Sequence, residues 1–304
     1  MKSDVFIRKS ICLILCAFFL LLSGCDSSNY KKAVGLQEEG KYSDAADIFE
    51  SLGEYEDSPE RLNQCNNMSK AVDTLDKKNA ELEELIDTAR KTIDSDDKAL
   101  DETLREKLET SISDAKAIKI VISEYPKTKE EIEEFIRTVS DSDYSAEVTD
   151  LKETTNALQK SIKQYALVNA PSEAYVIKCL KKVKGVINIS AVTEDNDPNG
   201  NLNKAHSYTA AVYFSHKYVN QKNISGKTVI EKGTDCGGCV EVYATEEDAK
   251  QRDEYLGAFD GTILASGSHI VIGTVVVRTS NEMKASQQKK VEKAVIAELT
   301  RVEE

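Results

Sequence analysis

Several short stretches of this 304-residue chain carry the residue types and spacings that chemistry needs. The segment Asp195-Asn196-Asp197-Pro198-Asn199-Gly200-Asn201-Leu202 sets oxygen-bearing side chains at alternate positions, then a glycine, then an apolar residue two further on. That pattern opens a calcium loop, where alternate oxygens converge on a hard cation because the chain turns at the glycine. Asp195, Asp197 and Asn199 are the candidate ligands, and calcium is the one candidate cofactor. The twelfth loop position is His206 where a bidentate Glu is expected, and β-rich runs flank the loop. An Asx-rich turn between strands is the competing reading.

Cys236-Gly237-Gly238-Cys239 is a C-x-x-C pair. Redox versions set the first Cys at a helix N-terminus, which lowers its pKa. Here the strand-like Val240-Glu241-Val242-Tyr243 follows, and no second pair completes four zinc ligands. The pair reads as free thiols or a local disulfide at a Gly-rich strand entry. Ser225-Gly226-Lys227-Thr228 has the end of a P-loop, but Gln221 stands where the first Gly belongs. The loop Gly261 to His269 holds Ser266, Ser268 and His269, without the G-x-S-x-G elbow of a serine hydrolase. The three histidines, His206, His216 and His269, cannot form the His-x-x-x-His half of a zinc-peptidase motif. No residue is assigned a catalytic role, and the chain is expected not to be an enzyme.

The elements that must position these residues fall into regions. Lys2, Arg8 and Lys9 precede the apolar run Ile11 to Leu22, which ends in Ser23-Gly24-Cys25. A basic start, a short apolar stretch and small residues at the cut form an export signal. At about 1.5 Å per residue the run falls short of the roughly 30 Å needed to span a bilayer. Leu22-Ser23-Gly24-Cys25 resembles the lipobox of bacterial lipoproteins. The resemblance implies that the Cys25 thiol takes a diacylglyceryl group, palmitate among its acyl chains, that residues 1–24 are then removed, and that Cys25 becomes the mature N-terminus and membrane anchor. Two acyl chains on one residue anchor stably, where one holds only marginally. Loss of residues 1–24 takes the formal charge from −13 to −15, and residues 25–29 read as a short polar tether. Of seven cysteines, Cys65, Cys179, Cys236 and Cys239 then remain, too few for a disulfide framework.

Residues 30–66 read as a helical hairpin. Tyr30, Ala33 and Leu36 share a face, Gly40-Lys41-Tyr42 turns, and Ala45, Ala46, Ile48 and Phe49 begin a second face. The spacing Gly40-x-Tyr42-x-x-Ala45-x-x-x-Phe49 is similar to half of a tetratricopeptide repeat. One unit is too few for a solenoid groove, which makes the hairpin a structural base.

Residues 67–168 carry stripes at alternating spacings of three and four. Val72, Leu75, Asn79, Leu82, Ile86, Ala89 and Ile93 form one, with Asn79 its polar position. Leu104, Leu108, Ile112, Ala115 and Ile118 mark a second helix, ending before Pro126. Thr128-x-x-Glu131 is a capping box for a helix through Ile132, Phe135, Ile136 and Val139. Val148, Leu151, Thr155, Leu158, Ile162 and Tyr165 form the last stripe. Loops of five to ten residues between these helices favour an antiparallel bundle over one long coiled coil. Leu82-x-x-Leu85-Ile86-x-x-Ala89, Leu104-x-x-x-Leu108-x-x-x-Ile112-x-x-Ala115-Lys116, the start at Thr128 and Leu158-x-x-x-Ile162 resemble the three-helix wall-associated modules called FIVAR. The helix from Thr128 departs from a three-helix count.

Residues 169–304 change character. Pro171-Ser172-Glu173 starts a helix, β-rich runs follow at Val186–Val192, Tyr208–Phe214, Val240–Ala244 and Ile270–Arg278, and Thr245-x-x-Asp248 opens a helix between the last two. A final helix carries Val291, Val295, Leu299 and Val302. The order α-β-β-β-α-β-α predicts one sheet with helices on one face, an α+β sandwich. Asp195-Asn196-Asp197-Pro198-Asn199 and Tyr243-Ala244-Thr245-Glu246-Glu247-Asp248-Ala249 resemble C-terminal modules of clostridial-type lipoproteins, which imply no activity. The fold class expected is multi-domain, a helical hairpin plus an antiparallel helical bundle followed by an α+β domain.

The balance of 53 acidic against 40 basic residues argues against nucleic acid as a partner, since its binding needs clustered Lys/Arg. The expected function is a cell-surface lipoprotein on the extracytoplasmic face of the cell membrane. It acts as a non-catalytic binding and spacer protein, with a cell-wall or protein ligand. The alternatives are a cell-wall enzyme with its site in the α+β domain, and a transporter's solute-binding lipoprotein. The second needs two α/β lobes about a hinge, against which the long helical first half speaks.

Overall fold

The computed structural model describes residues 25–262 and 267–303. The export signal, Leu22 to Gly24 of the lipobox-like tetrapeptide, and Ser266 lie outside them. The chain is a helical region followed by an α+β part with one five-stranded antiparallel sheet. It divides into two compact units, one running through Lys91 with Glu109–Glu153, the other comprising Thr92–Leu108 and Thr154 onward. Among the described residues no helix is long and apolar enough to cross a membrane.

In the first unit, residues 25–38 form helix α1, with Cys25 exposed and residues 25–29 helical. α2 (Tyr42–Leu52) packs beside it through Ala33, Tyr42, Ala45, Ala46 and Phe49, joined by Cys65 and Met68 of α3 (Ser58–Ile93). Small Ala side chains at the contact let the helices approach while Tyr42 and Phe49 fill the rest of the space. α3 runs unbroken through residue 66, because no helix breaker stands there. α4 (Thr103–Ala117) stops well before Pro126. α5 (Lys129–Asp141) opens on the expected capping box: Glu131 N–H donates to the Thr128 hydroxyl, and Thr128 N–H to the Glu131 carboxylate. Asn79, the polar member of its stripe, donates to Ile120 C=O at 3.0 Å and accepts from the Tyr144 hydroxyl at 3.2 Å. It thereby holds the segment after α4 in place. α6 (Ser145–Leu167) begins in this unit and continues into the second.

In the second unit the order is α7 (Glu173–Leu180), β1 (Val186–Ala191), β2 (Tyr208–His216), α8 (Val229–Lys232), a 3-10 turn at Gly233–Cys236, β3 (Gly237–Tyr243), α9 (Glu246–Gly257), β4 (Ser268–Ile272), β5 (Val275–Thr279) and α10 (Ala285–Leu299). Ser172 caps α7, and Thr245 caps α9 by accepting Asp248 N–H at 3.1 Å. The strand order is β1-β2-β3-β5-β4.

Two expectations are corrected. The run Ile270–Arg278 is not one strand but part of the β4–β5 hairpin. Gly273, at φ +58°, turns the chain beside Val168, where a Cβ would meet the carbonyl oxygen at 2.6 Å. Apolar residues continue on both sides of Gly273, so the turn is invisible to periodicity. Helices also cover both faces of the sheet, not one. Val212, Phe214, Val240, Val242 and Val277 pack with Val176 and Leu180 of α7 and Val295 and Leu299 of α10. Ala211, Tyr213, Cys239 and Val276 pack with Ala249 and Leu256 of α9. A strand apolar on both faces, as β2 and β3 are, requires cover on both.

Candidate functional site

The α9 face of the sheet carries a buried charge. Glu241, in the middle of β3, has a side chain 1% exposed. Its Oε1 accepts from Arg278 Nη1 at 2.7 Å and Arg252 Nη2 at 3.1 Å. Its Oε2 accepts from Arg252 Nε and from the Tyr243 hydroxyl, each at 2.9 Å. Burial pushes Glu241 toward the protonated form, but the Arg278 and Arg252 guanidiniums overcome that and hold its carboxyl below the ordinary Glu value. The same burial and the neighbouring carboxylate push the Tyr243 hydroxyl up, leaving it a neutral donor.

Above this cluster lies a groove of about 550 Å³. Tyr208 and Tyr243 face each other across the β2–β3 ladder, with ring centroids 6.5 Å apart and edge to face. Arg252 lies over the ring of Tyr255, 5.5 Å from its centroid. The loop before β2 contributes Asn199, Asn201, Lys204 and His206, and α9 contributes Asp248, Gln251, Arg252 and Tyr255. Such a volume with convergent polar groups suits a small ligand.

The acidic loop acts as the groove's wall. Asp197 Oδ1 accepts from Asn199 N–H at 3.0 Å and the Tyr208 hydroxyl at 2.6 Å, and Oδ2 from Asn201 and Leu202 N–H at 2.6 and 2.7 Å. Burial pushes Asp197 up, but these donors, Tyr208 foremost, take it below the ordinary Asp value. Asn199 Nδ2 donates to the Tyr208 hydroxyl at 3.3 Å, while Asp195 is exposed. The structure therefore brings Asp197 and Asn199 together at Tyr208, in the manner of an Asx-stabilised turn. His206, at the twelfth position, sets Nδ1 2.9 Å from Asp248 Oδ1, and Thr245 donates to Asp248 Oδ2 at 2.6 Å. Among the described residues no three His, Cys, Asp or Glu side chains cluster to hold a metal.

The other sequence candidates fold into local roles. Cys236 and Cys239 are buried free thiols. Burial raises Cys236 to about 11 and carries Cys239 well above the usual thiol range, so neither is a ready nucleophile. The intervening glycines serve packing: a Cβ on Gly237 or Gly238 would meet a neighbouring strand's carbonyl at 2.4 Å. Lys227-Thr228 forms the start of α8, Thr228 accepting Glu231 N–H and Glu231 accepting Lys227 N–H. Ser268 donates to Glu292, whereas His269 Nδ1 pairs with Asp253 at 2.6 Å, so these neighbours serve separate partners. His216 is buried, and that burial lowers its pKa.

A second cavity, about 360 Å³, has an apolar floor including Ala166, Leu167 and Val302. Three of its four basic residues pair with the chain's own acids: Glu303 bridges Lys178 and Lys182, and Glu298 pairs with Arg301, while Lys163 also lines it.

Periodicity missed Glu241, Arg252, Arg278, Tyr208 and Gln251 as parts of one site. The one available signal was a lone Glu inside Val240–Tyr243 and a lone Arg inside Val275–Thr279, charges of opposite sign in strands otherwise apolar. The chain matches no known protein family, no characterised protein and no solved structure.

Proposed function

We propose that this chain is a lipid-anchored, non-catalytic binding protein of the bacterial envelope, tethered through Cys25, with the groove between β2, β3 and α9 as its ligand site. The export-signal pattern and the lipobox-like ending support the anchor. The helical region, with its likeness to wall-associated modules, serves as the spacer.

The observation that supports binding over catalysis is the state of Glu241. A general acid at neutral pH needs its carboxyl pKa raised. Glu241 is held low instead, with both oxygens engaged by guanidinium and phenol donors. Such a cluster stiffens the groove floor and offers no proton.

The test is made in cells and on purified chain together. Mass spectrometry of the native protein is expected to find an acylated Cys25 amino end, and Cys25→Ala to release the protein from the membrane fraction. Envelope extract passed over the full chain is expected to yield a captured component that Tyr255→Ala or Gln251→Ala loses. Turnover of purified peptidoglycan by the wild type would overturn the non-catalytic reading. An unacylated, freely secreted native chain would overturn the anchor.

A further inference from the structure

The groove has an imbalance between its acids and its bases. Asp248 is engaged by Thr245 and His206, and Asp197, beside the groove, by Tyr208 and three backbone N–H groups. Glu241 is shared by two guanidiniums, of which that of Arg252 reaches the groove. The bases differ. Lys204 has no side-chain hydrogen bond or ion pair among the described residues. Arg252 uses Nε and Nη2 on Glu241, while Nη1 has no hydrogen-bond partner among them. Among the described residues the Lys204 ammonium and the remaining Nη1 of Arg252 are thus cationic donors of one groove that the chain itself leaves unsatisfied, a feature that a ligand would complete.

We propose that the groove binds a small carboxylate-bearing ligand whose acid group is received by Lys204 and the outer edge of Arg252. The inference rests on the groove being the ligand site. Arg252 is fixed in plane by Glu241 on one side and Tyr255 beneath, so its remaining N–H groups are presented with little entropy left to lose. Asn199, Asn201 and Gln251 offer amide donors and acceptors for hydroxyl or amide groups adjoining the acid. Such a carboxylate comes either from an acidic sugar or from a peptide C-terminus, and both present the same planar anion.

Calorimetric titration of the full chain, solubilised in detergent, decides the matter with two matched probe pairs. One is trigalacturonate against its methyl ester, the other trialanine against trialanine amide. At least one acid is expected to bind, with its neutral counterpart weaker by about tenfold or more. Lys204→Ala is expected to weaken the acid severalfold while leaving the neutral compound unchanged, and raised salt should weaken only the acid. Arg252→Lys, which keeps the charge opposite Glu241, should weaken the acid without loss of the folded-state circular dichroism. Which acid binds identifies the source. Equal affinity for acid and neutral forms, or insensitivity to Lys204→Ala, overturns the carboxylate while leaving the groove as a ligand site. Binding of neither pair overturns it too. If capture from envelope extract also survives Tyr255→Ala and Gln251→Ala, the groove itself is excluded.

Discussion

Arg278 Nη1 lies 2.7 Å from Glu241 Oε1, joining β5 to β3 by a buried ion pair. Arg278 pairs in register with Cys239 and Glu241 with Val276, so the contact is a diagonal one on a single sheet face. It ties β3 to β5 beneath the groove, and Arg252 brings α9 to the same carboxylate.

Glu241→Gln would leave two guanidiniums over the sheet without their anion. Removing one partner of a buried ionic cluster costs about 3–5 kcal/mol, and urea unfolding should show that loss. The pH dependence follows in sign. With Glu241 held below the unfolded value of about 4.3, its contribution is complete above that value and lost as pH falls through the folded pKa. The variant should therefore show a shallower acid limb than the wild type.

Asp197→Ala should release the loop before β2. The carboxylate holds three backbone N–H groups and the Tyr208 hydroxyl, and hydrogen bonds to a charged group contribute about 1.5–3 kcal/mol each when removed. Amide exchange over residues 197–207 should accelerate while β2 and β3 keep their protection. Unchanged exchange there would show that the carboxylate does not seat the loop.

Gly273→Ala tests the β4–β5 turn. The position combines φ +58° with a Cβ site 2.6 Å from Val168 C=O, so strain and clash add. Destabilisation above about 1 kcal/mol is expected, read as a lowered urea midpoint with the slope retained.

The thiols give a chemical test of the C-x-x-C reading. Cys65, Cys179, Cys236 and Cys239 are all buried and unpaired by disulfides, and burial raises the pKa of each. Iodoacetamide at neutral pH should leave them unmodified in the native chain and alkylate all four in denaturant. Rapid native alkylation of Cys236 would contradict this.

Much of the helical architecture was legible because its signals are local. The Thr128–Glu131 and Thr245–Asp248 spacings encode caps within four residues, and the stripes from Val72 and Val148 mark α3 and α6 wherever they finally pack. The turn at Gly273 and the covering of both sheet faces were not legible, because an apolar run records burial without recording reversal or direction. The groove was less legible still. Glu241 and Arg278 are 37 residues apart and meet only through the β3–β5 register, and the Asp195 loop reads alike whether its oxygens face a cation or its own N–H groups. The chain by itself determined where helices begin, which faces are apolar and that residues after 169 form sheet, since those depend on neighbours a few positions away. Tertiary structure alone decided which charges share a face and which carboxylates are already engaged, since ion pairing depends on distance in space.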